Sequence, residues 1–429
     1  MPHSHRLIPD AGRENTHKLA ILTVAIAVYF FSVLFFGNVE YAGETGKNAD
    51  HQVAIEAPIP PPPRMPPLQN QPVTLSIAFV GDVVVHLPQM SSAYDSDTGR
   101  YDFTDHFRYV KHYIAGVDLA LCNLETTFGG EPYTGFPTFS APDEMALALK
   151  DMGFLVAATA NNHTLDKGVS GLRRTLDVLA ENGLVPVGSR ADQTTPRYAL
   201  VDVNGVTIGV TAYTYASSSP TGRLLVNGSV VSEEAEPLLN YFRYAQIDED
   251  LEKIKETVGE AKRAGADIVI VYYHWGEEYQ LKANRWQRYM AERTVNDMAV
   301  DMVFGSHSHT LQEMAYLTRE GTDKQVPVFF SMGNFISNQR QETLENRHLE
   351  TGMIAFVDLT YDKVTQEITA IQMRAVPTWV DKYQSGGKDV FAVIPLDEDL
   401  EENETLAASG HLRRAQRAWE DANGILGSD

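Results

Sequence analysis

The sequence predicts an α/β domain standing behind one membrane-spanning helix, and three observations carry that expectation. From residue 75 onward, short runs rich in Val, Ile, Leu, Phe and Tyr alternate with amphipathic stretches, the pattern of a largely buried sheet flanked by helices. Residues 19–39 hold no charged side chain. Finally, most of the expected strands are followed within three residues by Asp, Asn or His. The chain has 429 residues, 43% apolar and 21% charged, which is ordinary globular composition. Its 35 basic and 57 acidic residues give a net charge of −22. So acidic a surface repels phosphate backbones and argues against a nucleic-acid partner. The single cysteine, Cys122, excludes an intramolecular disulfide and a thiolate-rich zinc site.

Residues 1–18 form a short N-terminal segment carrying Arg6, Arg13 and Lys18. Residues 19–39 come next as a helix of about 30 Å, enough to cross the hydrocarbon of a bilayer. The run is long for a signal peptide, no small-x-small cleavage site follows it, and it lacks the polar stripe of a core helix. Basic residues precede it while Glu40, Glu44, Asp50 and Glu56 lie beyond it. That asymmetry places the N-terminus in the cytoplasm and the rest of the chain outside the cell membrane. Residues 40–72 contain eight prolines, among them Pro60, Pro61, Pro62 and Pro63, and read as an extended spacer.

The main domain, 73–395, opens with a strand at 75–80. Further strands are expected at 118–122, 154–159, 206–213, 268–273, 302–304, 328–331 and 353–359. Helices are expected at 143–152, 168–182, 248–265 and 284–300, where apolar residues recur three and four apart. The stretches 353–359 and 367–380 have no long helix between them, which predicts antiparallel pairing late in the domain. Residues 396–429 read as an acidic extension ending in a loosely packed helix near 405–423.

The polar residues at the strand ends are the informative feature. The first strand ends in Gly81-Asp82 with His86 beyond, the next in Asn123-Leu124-Glu125, the third in Asn161-Asn162-His163. Later ones end in His274-Trp275-Gly276, in Gly305-Ser306-His307-Ser308-His309 and in Gly333-Asn334-Phe335. The carboxyl ends of strands in an open α/β sheet gather around one crevice, so these side chains are expected to meet at one rim. Mixed imidazole, carboxylate and amide donors suit divalent metals, and paired metals suit hydrolysis. Each motif alone has a plainer reading: Asp82 as a cap, Asn161 as a turn residue, His274 as a hydrogen-bonded core histidine. The joint placement favours the metal. His106 and His112 lie in an aromatic stretch and read as structural.

In this order the motifs resemble the bacterial capsule-synthesis CapA family, associated with poly-γ-glutamate synthesis. The resemblance runs over roughly 75–380, from Phe79-Val80-Gly81-Asp82 through Asn123-Leu124-Glu125-Thr126-Thr127 and Ala160-Asn161-Asn162-His163-Thr164-Leu165-Asp166-Lys167-Gly168. It continues in His274-Trp275-Gly276, Gly305-Ser306-His307-Ser308-His309 and Ser331-Met332-Gly333-Asn334-Phe335-Ile336. That family is similar to calcineurin-like metallophosphoesterases, which implies a four-layer α/β/β/α sandwich with two divalent ions (manganese, iron or zinc) at one rim. The resemblance implies that Asp82 and His86 bind one metal with help from His309, and that Glu125 bridges both. It implies that Asn162, His274 and His307 bind the other, that His163 is the general acid, and that Asn334 positions a ligand or a loop. The pattern also departs from the phosphoesterases. Asp82 and His86 are four apart rather than two, Glu125 replaces an Asp, and Thr164 stands where an acid follows the Asn-His pair.

The sequence supports two functions from different classes. One is a membrane-anchored, metal-dependent hydrolase or transferase acting on an anionic envelope polymer or its precursor. The other is a non-catalytic scaffold or polymer-binding component of a synthesis or export complex, with polymer-synthase membrane subunits as partners.

Overall fold

The computed structural model describes residues 71–397 and 400–427. The N-terminal segment, the expected membrane helix at 19–39 and nearly all of the proline-rich spacer lie outside the described residues. Among the described residues, no helix is long and apolar enough to cross a membrane.

Two sheets build the domain. The first has eight strands in the order Lys388–Pro395, Glu367–Ser385, Thr351–Asp362, Val73–Val83, Leu119–Leu124, Val156–Ala158 and Val185–Val187, with Asn334–Ile336 beside Val73–Val83. Val73–Val83 pairs parallel with Leu119–Leu124 and antiparallel with Thr351–Asp362. The expected late antiparallel pairing is therefore present, extended by a third strand, Lys388–Pro395. The second sheet has nine strands. Its path runs Ser229–Val230, Leu224–Val226, Val206–Ser218, Ile268–His274, Met302–Ser306, Gln325–Phe329 and Met314–Thr318, and Ala199–Val203 and Tyr241–Arg243 also pair with Val206–Ser218.

Alternation along the strands sets the layers. Ile77 and Phe79 face the second sheet and pack with Ile270, Tyr272, Phe304 and Met353. Ala78 and Val80 face the other way, against Met145, Leu149 and Ile114 of two outer helices. On the second sheet, Val269, Val271 and Tyr273 face outward onto Ile254 and Val258 of the Ile247–Arg263 helix and Met290 and Val295 of Arg285–Asp297. The result is helix, sheet, sheet, helix, the four layers expected. Cys122 is fully buried, and burial pushes its thiol up to about 12.

The C-terminal segment differs from expectation. It forms two helices, Glu404–Ser409 and Leu412–Leu426, divided at Gly410, whose φ of 72° suits a residue without a side chain. Instead of packing loosely, Ala415 and Ala418 are buried with Trp379. Ala422 reaches the core between the sheets. His411 Nδ1 lies 2.7 Å from Asp381 Oδ1, and Arg414 bonds Glu350 at 2.9 and 3.0 Å. The small residues on one helical face let it lie close to the sheet, and Leu412, Ile425 and Leu426 pack beside them.

Candidate metal centre

The carboxyl ends of both sheets open on one rim, and register explains how. A bulge interrupts Val73–Val83 between Val80 and Asp82, and bulges re-aim side chains. The bulged residue is Gly81, where a Cβ would collide with the Gly333 carbonyl. Asp82 consequently stands level with Asn123 on one neighbour and Asn334 on the other. Glu125 lies one step beyond Leu124, its N–H bonded to Val83 O at 3.1 Å. On the second sheet, His274 ends its strand level with Ser306. His307 and His309 come next with φ of 105° and 56°, a left-handed backbone that costs of order 1–3 kcal/mol per side-chain-bearing residue and concentrates at functional sites. Gly305 is required here because a Cβ would strike the indole of Trp275. That collision links the His274-Trp275-Gly276 motif to the histidine loop.

Two groups of donors result. Glu125, His274 and His307 offer atoms within 4.8 Å of one another, and so do Asp82, Glu125 and His309. Glu125 belongs to both. Asn162 joins the first group: its Oδ1 lies 2.7 Å from His274 Nε2, which in turn lies 3.1 Å from His307 Nδ1 and 3.5 Å from Glu125 Oε1. In the second group, His309 Nδ1 is 3.1 Å from Asp82 Oδ2 and 3.0 Å from Asn334 Oδ1. Asn334 is thus the residue that orients the His309 ring, and its amide also ties Leu349 O at 2.9 Å.

The electrostatics fit a cation. Both oxygens of Glu125 are buried without a hydrogen-bond partner, an arrangement that costs several kcal/mol when nothing positive compensates it. Burial and the neighbouring Asp82 push the Glu125 carboxyl well above the usual carboxylate range. Burial would raise Asp82 too, but His309, His274 and Ser306 outweigh it and hold that carboxyl low. Burial drives His274 far down and His307 to about 3, so both imidazoles are neutral, the form that binds metal. For His309, Asp82 outweighs burial and raises the pKa.

His163 and His86 are placed differently. His163 lies outside both donor groups, packed edge-on to Phe139 at 4.6 Å, with its Nδ1 2.8 Å from Asp166 Oδ2. Asp166 supplies the carboxylate that Thr164 does not, one turn later. His86 also lies outside both three-residue groups. It is half-buried, and its Nδ1 lies 3.2 Å from both Gln89 Oε1 and the Asn338 N–H. Burial pushes its pKa down to about 4.

Sequence reasoning did not give roles to Asn123, Asn161, Ser306 or Asp166. Asn123 donates to Asp82 Oδ1 at 2.7 Å, Ser306 donates to the same oxygen, and Asn161 donates to Leu124 O at 2.7 Å. Each sits within a strand-end motif, which was the available signal.

The profile described as "Bacterial capsule synthesis protein PGA_cap" matches residues 76–339, more than half of the chain and every donor named above. The chain belongs to this family. It is 28% identical over 299 residues to the capsule biosynthesis protein CapA of Bacillus anthracis, covering 66% of each chain. It is 30% identical over 292 residues to the PGA biosynthesis protein CapA of Bacillus subtilis (strain 168), covering 64% of this chain and 68% of that one. The chain thus spans about two thirds of the length of these curated relatives. Among solved structures, the calcineurin-like phosphoesterase YfkN from Bacillus subtilis aligns over 82% of this chain and all of its own, with 15% identity and a TM-score of 0.38.

Proposed function

We propose that this PGA_cap protein is a metal-dependent hydrolase or transferase acting on an anionic envelope polymer, such as poly-γ-glutamate, or on its precursor. One observation carries the reading: a buried carboxylate, Glu125, with neither oxygen hydrogen-bonded, faces His274, His307, His309 and Asp82 at a rim shared by two sheets. Divalent ions such as manganese, iron or zinc would supply Lewis acidity there. Asp82, Glu125 and His309 would hold one ion. Glu125, Asn162, His274 and His307 would hold a second. Asp166, beside Nδ1, orients the His163 ring, and the Nε2 of that ring would deliver a proton to a leaving oxygen. A bound cation also offsets the −22 charge locally, which a polyanionic substrate requires.

The domain is held outside the cell membrane by residues 19–39, supported by the uncharged span and the basic residues before it, where it meets polymer-synthase membrane subunits. Full protection of the C-terminal part from protease added to intact cells would overturn that placement.

Elemental analysis of the full-length protein beside a His307→Ala/His309→Ala variant tests the metal. About two ions per chain, lost in the folded variant, are expected. Absence of metal from the wild type after reconstitution would overturn the hydrolase and leave the scaffold in its place. In a His163→Ala variant, metal content should persist while turnover of phosphoester or γ-glutamyl substrates falls about 10²- to 10⁴-fold.

A further inference from the structure

Three segments meet at the histidine loop: residues 276–280 beyond the Ile268–His274 strand, the loop 307–312 itself, and the first turn of the Arg285–Asp297 helix. The backbone there is strained. His307, His309 and Tyr279 are all left-handed, with φ of 105°, 56° and 68°. Such conformations persist only where the surroundings over-determine them.

A chain of buried amides supplies that constraint. Gln287, on the helix, and Gln312, at the end of the loop, are both fully buried. Gln287 Oε1 accepts from the Asn284 N–H at 2.9 Å, and Gln287 Nε2 donates to Gln312 Oε1 at 2.7 Å. Gln312 Nε2 donates in turn to the Gln280 carbonyl at 2.9 Å, which also accepts from Thr310 Oγ1 at 2.8 Å. The Tyr279 N–H donates to Ser308 O at 2.7 Å. The hydroxyls of Ser308 and Ser331 donate to Thr310 O at 2.9 and 2.8 Å. Gly276 makes room for the chain: its φ is 88°, and a Cβ there would strike the Gln287 amide. Two buried amides cost more to desolvate than two apolar side chains of the same size. Bonded to each other and to the backbone on either side, they fix one arrangement of the three segments.

We propose that Gln312 and Gln287 are positioning residues of the metal centre, locking the strained loop so that His307 and His309 present their rings to the rim. Neither amide bonds a proposed metal donor, so each acts through the loop. The inference rests on the metal-centre reading and adds to it the residues that set the affinity.

The test compares full-length wild type, Gln312→Met and Thr310→Val, each stripped of metal and titrated with cobalt(II), whose visible absorption reports the geometry of its ligands. Met has nearly the volume of Gln and no amide, so it cuts the chain without opening a large cavity. Thr310→Val removes one donor to the Gln280 carbonyl and decides the matter if Gln312→Met fails to fold. Titrations are run well below the melting temperature of each metal-free protein, where a loss of global stability alone leaves the dissociation constant unchanged. The dissociation constant should rise about 10- to 100-fold in Gln312→Met and by a smaller factor in Thr310→Val, with an altered cobalt spectrum. A folded Gln312→Met that binds cobalt as tightly as wild type would overturn the proposal and leave the metal centre standing. So would unchanged affinity in Thr310→Val where Gln312→Met does not fold. A wild type that takes up no cobalt would overturn the metal-centre reading and this proposal with it.

Discussion

Glu125 is the residue on which the metal centre turns, because it serves both donor groups and has no hydrogen bond of its own. In metal-free protein its folded pKa stands above the ordinary carboxylate value. Above about pH 4.5 the unfolded chain therefore releases this proton while the folded chain retains it. Metal-free stability consequently falls as pH rises from that point toward the folded pKa. Glu125→Gln removes the penalty. Denaturant titration of metal-free protein at pH 7 should show the variant more stable than wild type by about 1–3 kcal/mol, with metal binding weakened or lost. A variant less stable at pH 7 would mean that the carboxylate is satisfied in a way the geometry does not show. At this same scale the sequence was informative about residue type and poor about partners. Asp82, Glu125, His274, His307 and His309 could be singled out because each follows a strand. Asp166 was visible as an acid three positions after His163, but its role was not, because only the turn there brings its carboxylate to Nδ1. The family resemblance groups His86 with the first metal; its Nδ1 lies beside Gln89 and the Asn338 N–H.

At the scale of elements, the buried strands were legible and the thin ones were not. The Ile268–His274 strand is buried at every position and was expected within one residue. Met314–Thr318 is half-exposed throughout, and Val185–Val187 is three residues long with a central proline. Neither offers the alternation or length that marks a strand. The C-terminal helix itself was expected but its docking was not; it rests on three alanines, on Leu412, Ile425 and Leu426, and on a few polar ties. One tie is measurable. His411→Ala would leave the fully buried Asp381 without its partner, since its other oxygen already has none. That should cost about 1–3 kcal/mol, read as a lower denaturation midpoint with an unchanged slope. A midpoint within error of wild type would show that the His411–Asp381 contact adds nothing to the docking.

For the whole molecule, the division of the donors between the sheets matters most. Asp82, Glu125 and Asn162 come from the first sheet and its connections, and His274, His307 and His309 from the second. A cation held among them fastens one sheet to the other at their carboxyl ends, in addition to the apolar layer between them. Chelation should therefore lower the melting temperature by several degrees, and metal restored in excess should recover it, because a ligand that binds only the folded state adds RT ln(1 + [L]/Kd) to stability. A melting temperature indifferent to chelator and metal would mean that the rim does not load. The α/β character was readable from the alternating apolar runs, whereas the four layers were implied only by the family resemblance.

Cys122 brings a practical freedom. The chain has one thiol, sealed in the first sheet and pushed to about 12 by burial, so it stays protonated and out of reach of maleimides in the native state. A cysteine introduced on the surface would be labelled alone, without removing the native one. Fluorophore or spin-label pairs could then be placed across the rim in an otherwise unaltered sequence, to follow the sheets as metal is added and withdrawn.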